Sequence, residues 1–166
     1  VPPHDLDAEA AVLSAVLLDR DALDRVVELL RPEYFYSDAN ARIFQAVLGI
    51  AESRQPVDIV NVCAWLRDRE WLTTIGGASY IVELADASPA IAHVERHARI
   101  VFEKWRMRQL IDTCQRISAE GYGDVGEVQQ FVDRAETAMY ALAHEGSTSE
   151  QTMSSASDVL RDYFTH

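Results

Sequence analysis

Two histidines near the middle of the chain have a spacing that can bind a metal ion. His93 and His97 stand four residues apart, which on a helix places both imidazoles on one face, as in zinc hydrolases with a His-Glu-x-x-His motif. In those enzymes the glutamate after the first histidine acts on the metal-bound water. Here the carboxylate is Glu95, about 200° around the helix from His93, so it cannot act on that water. Because no third ligand is marked by spacing, two partly exposed histidines without a metal are the simpler interpretation.

The motifs that bind and hydrolyse nucleotides are missing from the sequence. There is no GxxxxGK[ST] motif, and the only lysine, Lys104, lies in a stretch predicted to be helical. The pair Gly76-Gly77 predicts a chain reversal between helices rather than a phosphate-binding loop. Neither a GxSxG motif nor a Cys/His nucleophile signature is present. We therefore expect no catalytic residue, no cofactor and no metal here, so this piece of chain is not expected to be an enzyme by itself.

Composition and charge narrow the classes of function. The 166 residues are 48% apolar and 25% charged, and 15 basic residues against 27 acidic ones give a net charge of −12, which repels phosphate backbones and argues against a dedicated DNA-binding surface. No apolar run approaches the ~20 residues of a membrane span. We therefore expect no membrane partner. Cys63 and Cys114 form no CxxC pair, which predicts two buried thiols in a reduced, cytoplasmic setting. The first residue is Val1 rather than Met, which suggests a piece of a longer chain.

The prolines divide the chain into a globular part and a rod-like part. All five precede residue 90, so the first part is broken into short helices while the rest can form long ones. Asp38 and Asp58 are candidate N-caps of a third and a fourth helix, and a fifth helix is predicted from about Ser79 to Ala87. We predict an all-α fold with a compact helical subdomain over 1–90.

A long helix is predicted from about Ala92 to Glu120, because nothing interrupts it before Gly121. At ~1.5 Å per residue it would be ~45 Å long, and its apolar residues change face midway. The residues expected to pack on the globule are Val94, Ala98, Val101 and Trp105. Those expected to pack on a following helix, from Glu127 to Ala143, are Met107, Ile111, Cys114 and Ile117. The glycine-rich turn between the two helices then gives a long antiparallel helical hairpin over 91–145.

A hairpin that projects from a globule leaves apolar surface uncovered, and a second copy of the same chain is the usual cover. We therefore predict self-association through the stripe formed by Val128, Phe131, Val132, Ala135, Met139 and Leu142. The tip of the hairpin is a second predicted contact, for a different partner, because its polar and aromatic residues should be exposed. These residues are Glu120, Tyr122, Asp124 and Glu127.

The last part of the chain has the composition of a flexible linker followed by a short helix. Residues 146–157 are small, polar and without periodicity. From 158 to 166 the sequence becomes amphipathic again, and it ends before that helix has a partner, which predicts a docking element for another chain or domain. Its apolar residues are Val159, Leu160, Tyr163 and Phe164.

Basic side chains are concentrated on the long helix, which carries Arg96, Arg99, Lys104, Arg106, Arg108 and Arg116. A solvated helix face, partly neutralised by i, i+4 partners, is one interpretation. Contact with an acidic partner surface is the other, and the sequence leaves both open.

Four ordered groups of residues, covering nearly the whole chain, resemble the N-terminal domain of bacterial replicative helicases of the DnaB family. The first is Pro2-Pro3-His4 with Glu9, Val12-Leu13 and Leu17-Leu18-Asp19, and the second is Phe35-Tyr36 with Ile43-Phe44. The third is Pro56-Val57-Asp58, Leu66, Leu72 and Gly76-Gly77 with Tyr80 and Leu84, and the fourth is Ala98-Arg99-Ile100-Val101 with Glu103-Lys104, Arg108 and Leu110-Ile111. There are two departures: Asn40 stands where that family often has histidine, and Glu70 where glycine usually ends the fourth helix.

The resemblance implies a non-catalytic collar domain that pairs through its hairpin into a six-subunit ring. It implies recruitment of a primase of the DnaG type and, in some species, of a helicase loader during DNA replication. It also implies that the helix starting at Asp158 docks on a neighbouring motor domain, which would bind ATP and magnesium and lie beyond residue 166. DNA would then be contacted only through the whole ring, at the replication fork.

Two other hypotheses remain at this point. A stand-alone all-α adaptor or regulator of a replicative helicase would share the fold without ever carrying a motor, and the parent gene beyond His166 would separate it from the collar. A metal-dependent hydrolase using His93 and His97 would require a stoichiometric metal.

Overall fold

The computed structural model describes residues 1–87 and 91–144, which are helical with short connections and contain no strand. This part of the chain has seven α-helices: α1 (Leu6–Leu18), α2 (Arg20–Val26), α3 (Asp38–Glu52), α4 (Ile59–Asp68), α5 (Gly77–Asp86), α6 (Val94–Gly121) and α7 (128–144). Two 3-10 turns, Pro32–Tyr34 and Ile91–His93, precede α3 and α6. The predicted all-α fold is confirmed.

Side-chain caps explain where the short helices begin. The carboxylates of Asp5, Asp19 and Asp58 accept hydrogen bonds from backbone N–H groups in the first turns of α1, α2 and α4, which satisfies donors that have no partner within the helix. The cap of α3 is Ser37, whose hydroxyl accepts from the backbone N–H of Asn40 at 3.2 Å. The predicted cap Asp38 is therefore wrong by one residue. Asp38 is instead the first helical residue, where its negative charge interacts favourably with the positive end of the helix dipole.

The described chain falls into two compact units that divide between Trp105 and Arg106, inside α6. In the first unit α1 packs against α2, α3 and α5, and α4 packs against α3 and α5. The predicted boundary between residues 90 and 91 placed all of the long helix in the hairpin, whereas its first half belongs to the globule. The largest fully buried side chains of this core include Leu13, Leu23, Ile43, Phe44, Leu66, Ile81 and Val94.

The first half of α6 packs on the globule as predicted. Val94 and Ala98 are fully buried and Val101 is 2% exposed. Trp105, the last residue of the first unit, stacks on Tyr34 with ring centroids 4.1 Å apart. These contacts fix the start of a helix that runs for 28 residues, or about 42 Å.

The second unit consists of the rest of α6, a turn and α7, and it is the predicted hairpin. Gly126 adopts a left-handed φ of 69° and its backbone N–H donates to Asp124 Oδ1 at 3.1 Å, which shapes the turn before α7. The observed helix 128–144 agrees within one residue with the predicted span from Glu127 to Ala143. The predicted linker over 146–157 and the docking helix over 158–166 lie outside the described residues, as do Val159, Leu160, Tyr163 and Phe164.

Within the described residues, no helix has the length and apolar character needed to cross a membrane.

Candidate assembly surface

The stripe predicted on α7 is only partly covered. Val128, Val132 and Met139 are 66%, 38% and 39% exposed. The other three members, Phe131, Ala135 and Leu142, are half-buried. Large apolar side chains with this much exposure along one helix are a recognised mark of a contact surface.

Phe131 shows how the turn end of the hairpin is closed. Gly121 has no side chain, and a Cβ at that position would lie 3.5 Å from the Cζ atom of Phe131, so the ring packs against the last residue of α6. The guanidinium of Arg134 lies 5.9 Å from the centroid of the same ring. Phe131 therefore has a role inside the hairpin, and the more exposed members of the stripe are better placed to contact a second molecule.

The second half of α6 is oriented differently from the prediction. Met107 and Ile111 are 48% and 40% exposed, and Cys114 is also exposed, so the expectation that these three pack on the next helix is wrong. Ile117, the fourth residue of that prediction, is half-buried. The buried residue is Thr113, at 6% exposure. A one-residue step rotates a helix by about 100°, and the sequence pattern missed this because Thr113 is polar and was not counted among the packing residues.

This rotation leaves a continuous apolar face on the outside of α6. Leu110, at 43% exposure, joins the three exposed residues, so that the set follows i, i+3, i+4 and i+7 spacing, the pattern of a helix face that is normally buried. We call this set the α6 face; it consists of Met107, Leu110, Ile111 and Cys114. The prediction of two buried thiols holds for Cys63, where burial raises the pKa of the thiol, and is wrong for Cys114.

The predicted tip residues are all exposed. Glu120, Asp124 and Glu127 are exposed and Tyr122 reaches 91% exposure. Glu120 and Asp124 also line a shallow depression, together with Arg134 of α7. The tip thus offers carboxylates, one guanidinium and an uncovered tyrosine ring to a partner, and its binding role stays a prediction.

The residues first considered for chemistry do not converge on a site. His93 is exposed and His97 half-buried, and the described residues contain no group of three or more His, Cys, Asp or Glu side chains close enough to hold a metal ion. Gly76 and Gly77 have left-handed φ values of 109° and 75°, and the Gly77 N–H donates to the carbonyl of Leu72 at 2.8 Å. This pair is a chain reversal, as predicted.

Sequence reasoning missed a buried polar network in the first unit. Glu9 is 2% exposed, and its carboxylate accepts from the backbone N–H groups of Tyr36 (2.8 Å) and Ser37 (3.3 Å) and from Asn40 Nδ2 (3.0 Å). The Tyr80 hydroxyl donates to Asn40 Oδ1. Burial, with the negative charges of Glu9 and Glu83, raises the pKa of Tyr80. The network joins α1, α5 and the start of α3. The sequence feature that could have indicated it is Asn40, which stands where the resembled family often has histidine.

Comparison with known proteins agrees with this architecture. A family model described as the DnaB-like helicase N-terminal domain matches residues 1–103. The chain is 47% identical over 136 residues to the replicative DNA helicase DnaB of Geobacillus stearothermophilus, covering 82% of this chain and 30% of that protein. It is 36% identical over 149 residues to the replicative DNA helicase DnaC of Bacillus subtilis, covering 90% of this chain and 33% of that protein.

A solved structure agrees in both fold and extent. The crystal structure of the N-terminal domain of DnaB helicase from Mycobacterium tuberculosis superposes with a TM-score of 0.80 and 38% sequence identity, covering 85% of this chain and 99% of that one. The chain spans about a third of the length of the curated helicases named above. The family model matches the first unit, and the aligned relatives and the solved structure extend over more than four fifths of the chain, so this chain belongs to the family of DnaB-like helicase N-terminal domains.

Proposed function

We propose that this chain is the collar domain of a replicative DNA helicase, which assembles the ring and recruits other replication proteins but performs no catalysis itself. The observation that carries the proposal is the α6 face, four apolar residues of which three are at least 40% exposed. Burying such residues against a second copy removes apolar area from water. Each Å² of apolar area buried stabilises the assembly by about 25 cal/mol. Pairing through the hairpin is the first step, and a ring of six subunits is the proposed final assembly.

Cys114 provides a test of where the copies meet. If the α6 face is the contact, a maleimide reagent labels Cys114 slowly at high protein concentration and faster as dilution separates the subunits. Cys63 serves as an internal control, because it is buried and its raised thiol pKa keeps it protonated, and only the thiolate reacts. Labelling of Cys114 that is independent of concentration, in a protein shown to be oligomeric, places the contact elsewhere.

Recruitment is proposed for the hairpin tip. The partners are a primase of the DnaG type and, where one exists, a helicase loader. Tyr122 is the most informative position, since at 91% exposure its side chain can be removed without touching the fold. Titration of primase against Tyr122→Ala should show weaker binding by about tenfold, the size expected for an aromatic contact residue. Tyr140→Ala, a change of the same size on α7, is the control, and equal affinities of both variants with the unchanged protein would remove the tip from the proposal.

The motor function is proposed for the parent protein and not for this stretch. The matched relatives are named replicative DNA helicases and are about three times as long, so ATP and magnesium would bind in a part of the protein outside this sequence. DNA would then be contacted through the assembled ring at the replication fork in the cytoplasm. In this arrangement Val159, Leu160, Tyr163 and Phe164 would dock on a neighbouring motor domain.

A further inference from the structure

Two tryptophans and two arginines form an alternating cluster on the first unit. The indole rings of Trp65 on α4 and Trp71 just after it lie 6.0 Å apart, centroid to centroid, at 60°. The guanidinium of Arg69 lies 3.3 Å from the centroid of Trp65, and that of Arg42 on α3 lies 4.9 Å from the centroid of Trp71. We call these four residues the arginine–tryptophan patch.

The backbone at the end of α4 creates the patch. Glu70 adopts a left-handed φ of 61°, and the Trp71 N–H donates to the carbonyl of Leu66 at 2.9 Å, which is the closing hydrogen bond of a Schellman cap. This tight reversal brings Trp71 back beside Trp65. On α3, Gly49 makes room for the indole: a Cβ there would lie 2.8 Å from Trp65 Nε1, closer than real Cβ atoms approach.

Among the described residues, neither guanidinium group of the patch forms an ion pair with a carboxylate. The ion pairs made by the described residues of the first unit include Arg20 with Asp24 and Arg25 with Glu95, and neither involves Arg42 or Arg69. One N–H of Arg69 donates to the Trp65 carbonyl at 3.4 Å. Asp68 and Glu70 flank Arg69 in a chain with a net charge of −12, yet the described residues hold both arginines on ring faces and not in ion pairs.

Stacking prepares these arginines for a particular ligand. A guanidinium lying on an indole keeps the N–H groups along its edge available, and its planar fork matches a carboxylate with two parallel hydrogen bonds. Because the ring holds the group in place, less side-chain freedom is lost when the carboxylate binds. Tryptophan and arginine are also the residue types that most often dominate binding energy at protein interfaces.

Nucleic acid fits the patch less well than a peptide. Single-stranded DNA binds by stacking its bases on open aromatic faces, but here Arg69 and Arg42 already lie over the two indole rings. A nucleic acid also brings a continuous row of phosphates, which the net charge of −12 opposes over the whole molecule. An acidic peptide needs to present only one or two carboxylates with an apolar neighbour.

From these observations we infer that the arginine–tryptophan patch is a docking site for an acidic peptide segment of a partner protein. The site uses α3, α4 and the turn after α4, and none of its residues belongs to the α6 face or to the hairpin tip. The docking site is therefore independent of the assembly through the α6 face, and an experiment can disprove either proposal without affecting the other.

A peptide titration of the whole chain tests the site. The probe is a short fluorescein-labelled peptide in which glutamate alternates with leucine, and the control peptide has glutamine in place of glutamate. We expect the acidic peptide to bind, more weakly as salt rises, and the control peptide not to bind. Arg69→Gln and Arg42→Gln should each weaken binding by about tenfold, the loss expected for a charge-assisted hydrogen bond, whereas Arg20→Gln on α2 should leave it unchanged.

Several results would overturn the proposal. Absence of binding at low salt would refute the docking site, and equal loss of affinity in Arg20→Gln and Arg69→Gln would reduce the effect to general charge. Preferential binding of an oligothymidine probe would make the patch a nucleic-acid surface instead. Finally, a drop in the mass of the oligomer caused by Arg69→Gln would show that a second copy of the chain covers the patch.

Discussion

Asn40 Nδ2 donates a 3.0 Å hydrogen bond to Glu9 Oε1 between two helices of the globule. Both residues are 2% exposed, so neither can turn to water if the other is removed. The same asparagine accepts from Tyr80, which makes it the central member of a polar network in an apolar core. A buried network of this kind stabilises the fold only when each of its groups is satisfied.

Asn40→Leu should therefore destabilise the protein by about 2–3 kcal/mol, because a buried carboxylate loses a donor and a hydroxyl loses its acceptor. The measurement is urea denaturation followed by circular dichroism. Gln45→Leu, on an exposed position of the same helix, is the control and should stay within about 0.5 kcal/mol of the unchanged protein. Equal stabilities of the two variants would mean that the network contributes little.

Tyr80 should make the stability fall in alkaline solution. Burial, and then the nearby charges of Glu9 and Glu83, raise its pKa in the folded state above the usual 10.0, so the folded chain keeps the phenol proton longer than the unfolded chain does. Stability from this difference is complete below about pH 10 and is lost as the pH rises through the folded-state pKa. The free energy of unfolding, measured at intervals from neutral to alkaline pH, should decline less steeply in Tyr80→Phe. Tyr122→Phe, which changes an exposed phenol, should follow the unchanged protein.

Glu70 is one of two non-glycine residues with a left-handed φ in the described chain. This conformation costs an L-residue about 1–2 kcal/mol, while glycine adopts it freely at the expense of about 0.4–1 kcal/mol of extra unfolded-state entropy. Glu70→Gly should thus stabilise the protein by about 0.5–1 kcal/mol. Glu83→Gly, inside α5, should instead destabilise it by a similar amount. The measurement is the thermal unfolding of both variants compared with the unchanged protein. A loss of stability in both would mean that the Glu70 side chain contributes a contact worth more than the strain.

The sequence predicted the fold well wherever apolar spacing and helix punctuation agree. α6 begins and ends within two residues of its predicted bounds, and Val94 and Ala98 are buried as expected, because the i, i+4 pattern there is made of plainly apolar residues. The pattern failed beyond Trp105. A buried Thr113 beside an exposed Cys114 reverses the usual preference of both residue types, so the inward face could not be found from hydrophobicity alone.

Contacts between distant residues were beyond the sequence for a different reason. Glu9 and Asn40 are 31 positions apart, and no local spacing indicates that a carboxylate and an amide will share a core. The juxtaposition of Trp65 and Trp71 depends on the left-handed turn at Glu70, a conformation that the sequence hides because glutamate rarely adopts it. In both cases a departure from the family pattern, at Asn40 and at Glu70, marked the position. The sequence did not show which contact or backbone conformation the departure accompanies.

The most direct test of the account is the mass of the particle in solution, measured by sedimentation equilibrium over a wide range of protein concentration. The unchanged chain should sediment as a dimer or larger assembly, and Ile111→Ser, in the centre of the α6 face, should shift it toward the monomer mass of 18.6 kDa by weakening association about tenfold or more. Val60→Ser removes a side chain that is 75% exposed on α4 and should leave the mass unchanged. A monomer at every concentration, or an assembly that Ile111→Ser does not weaken, would contradict the claim that the hairpin builds the ring.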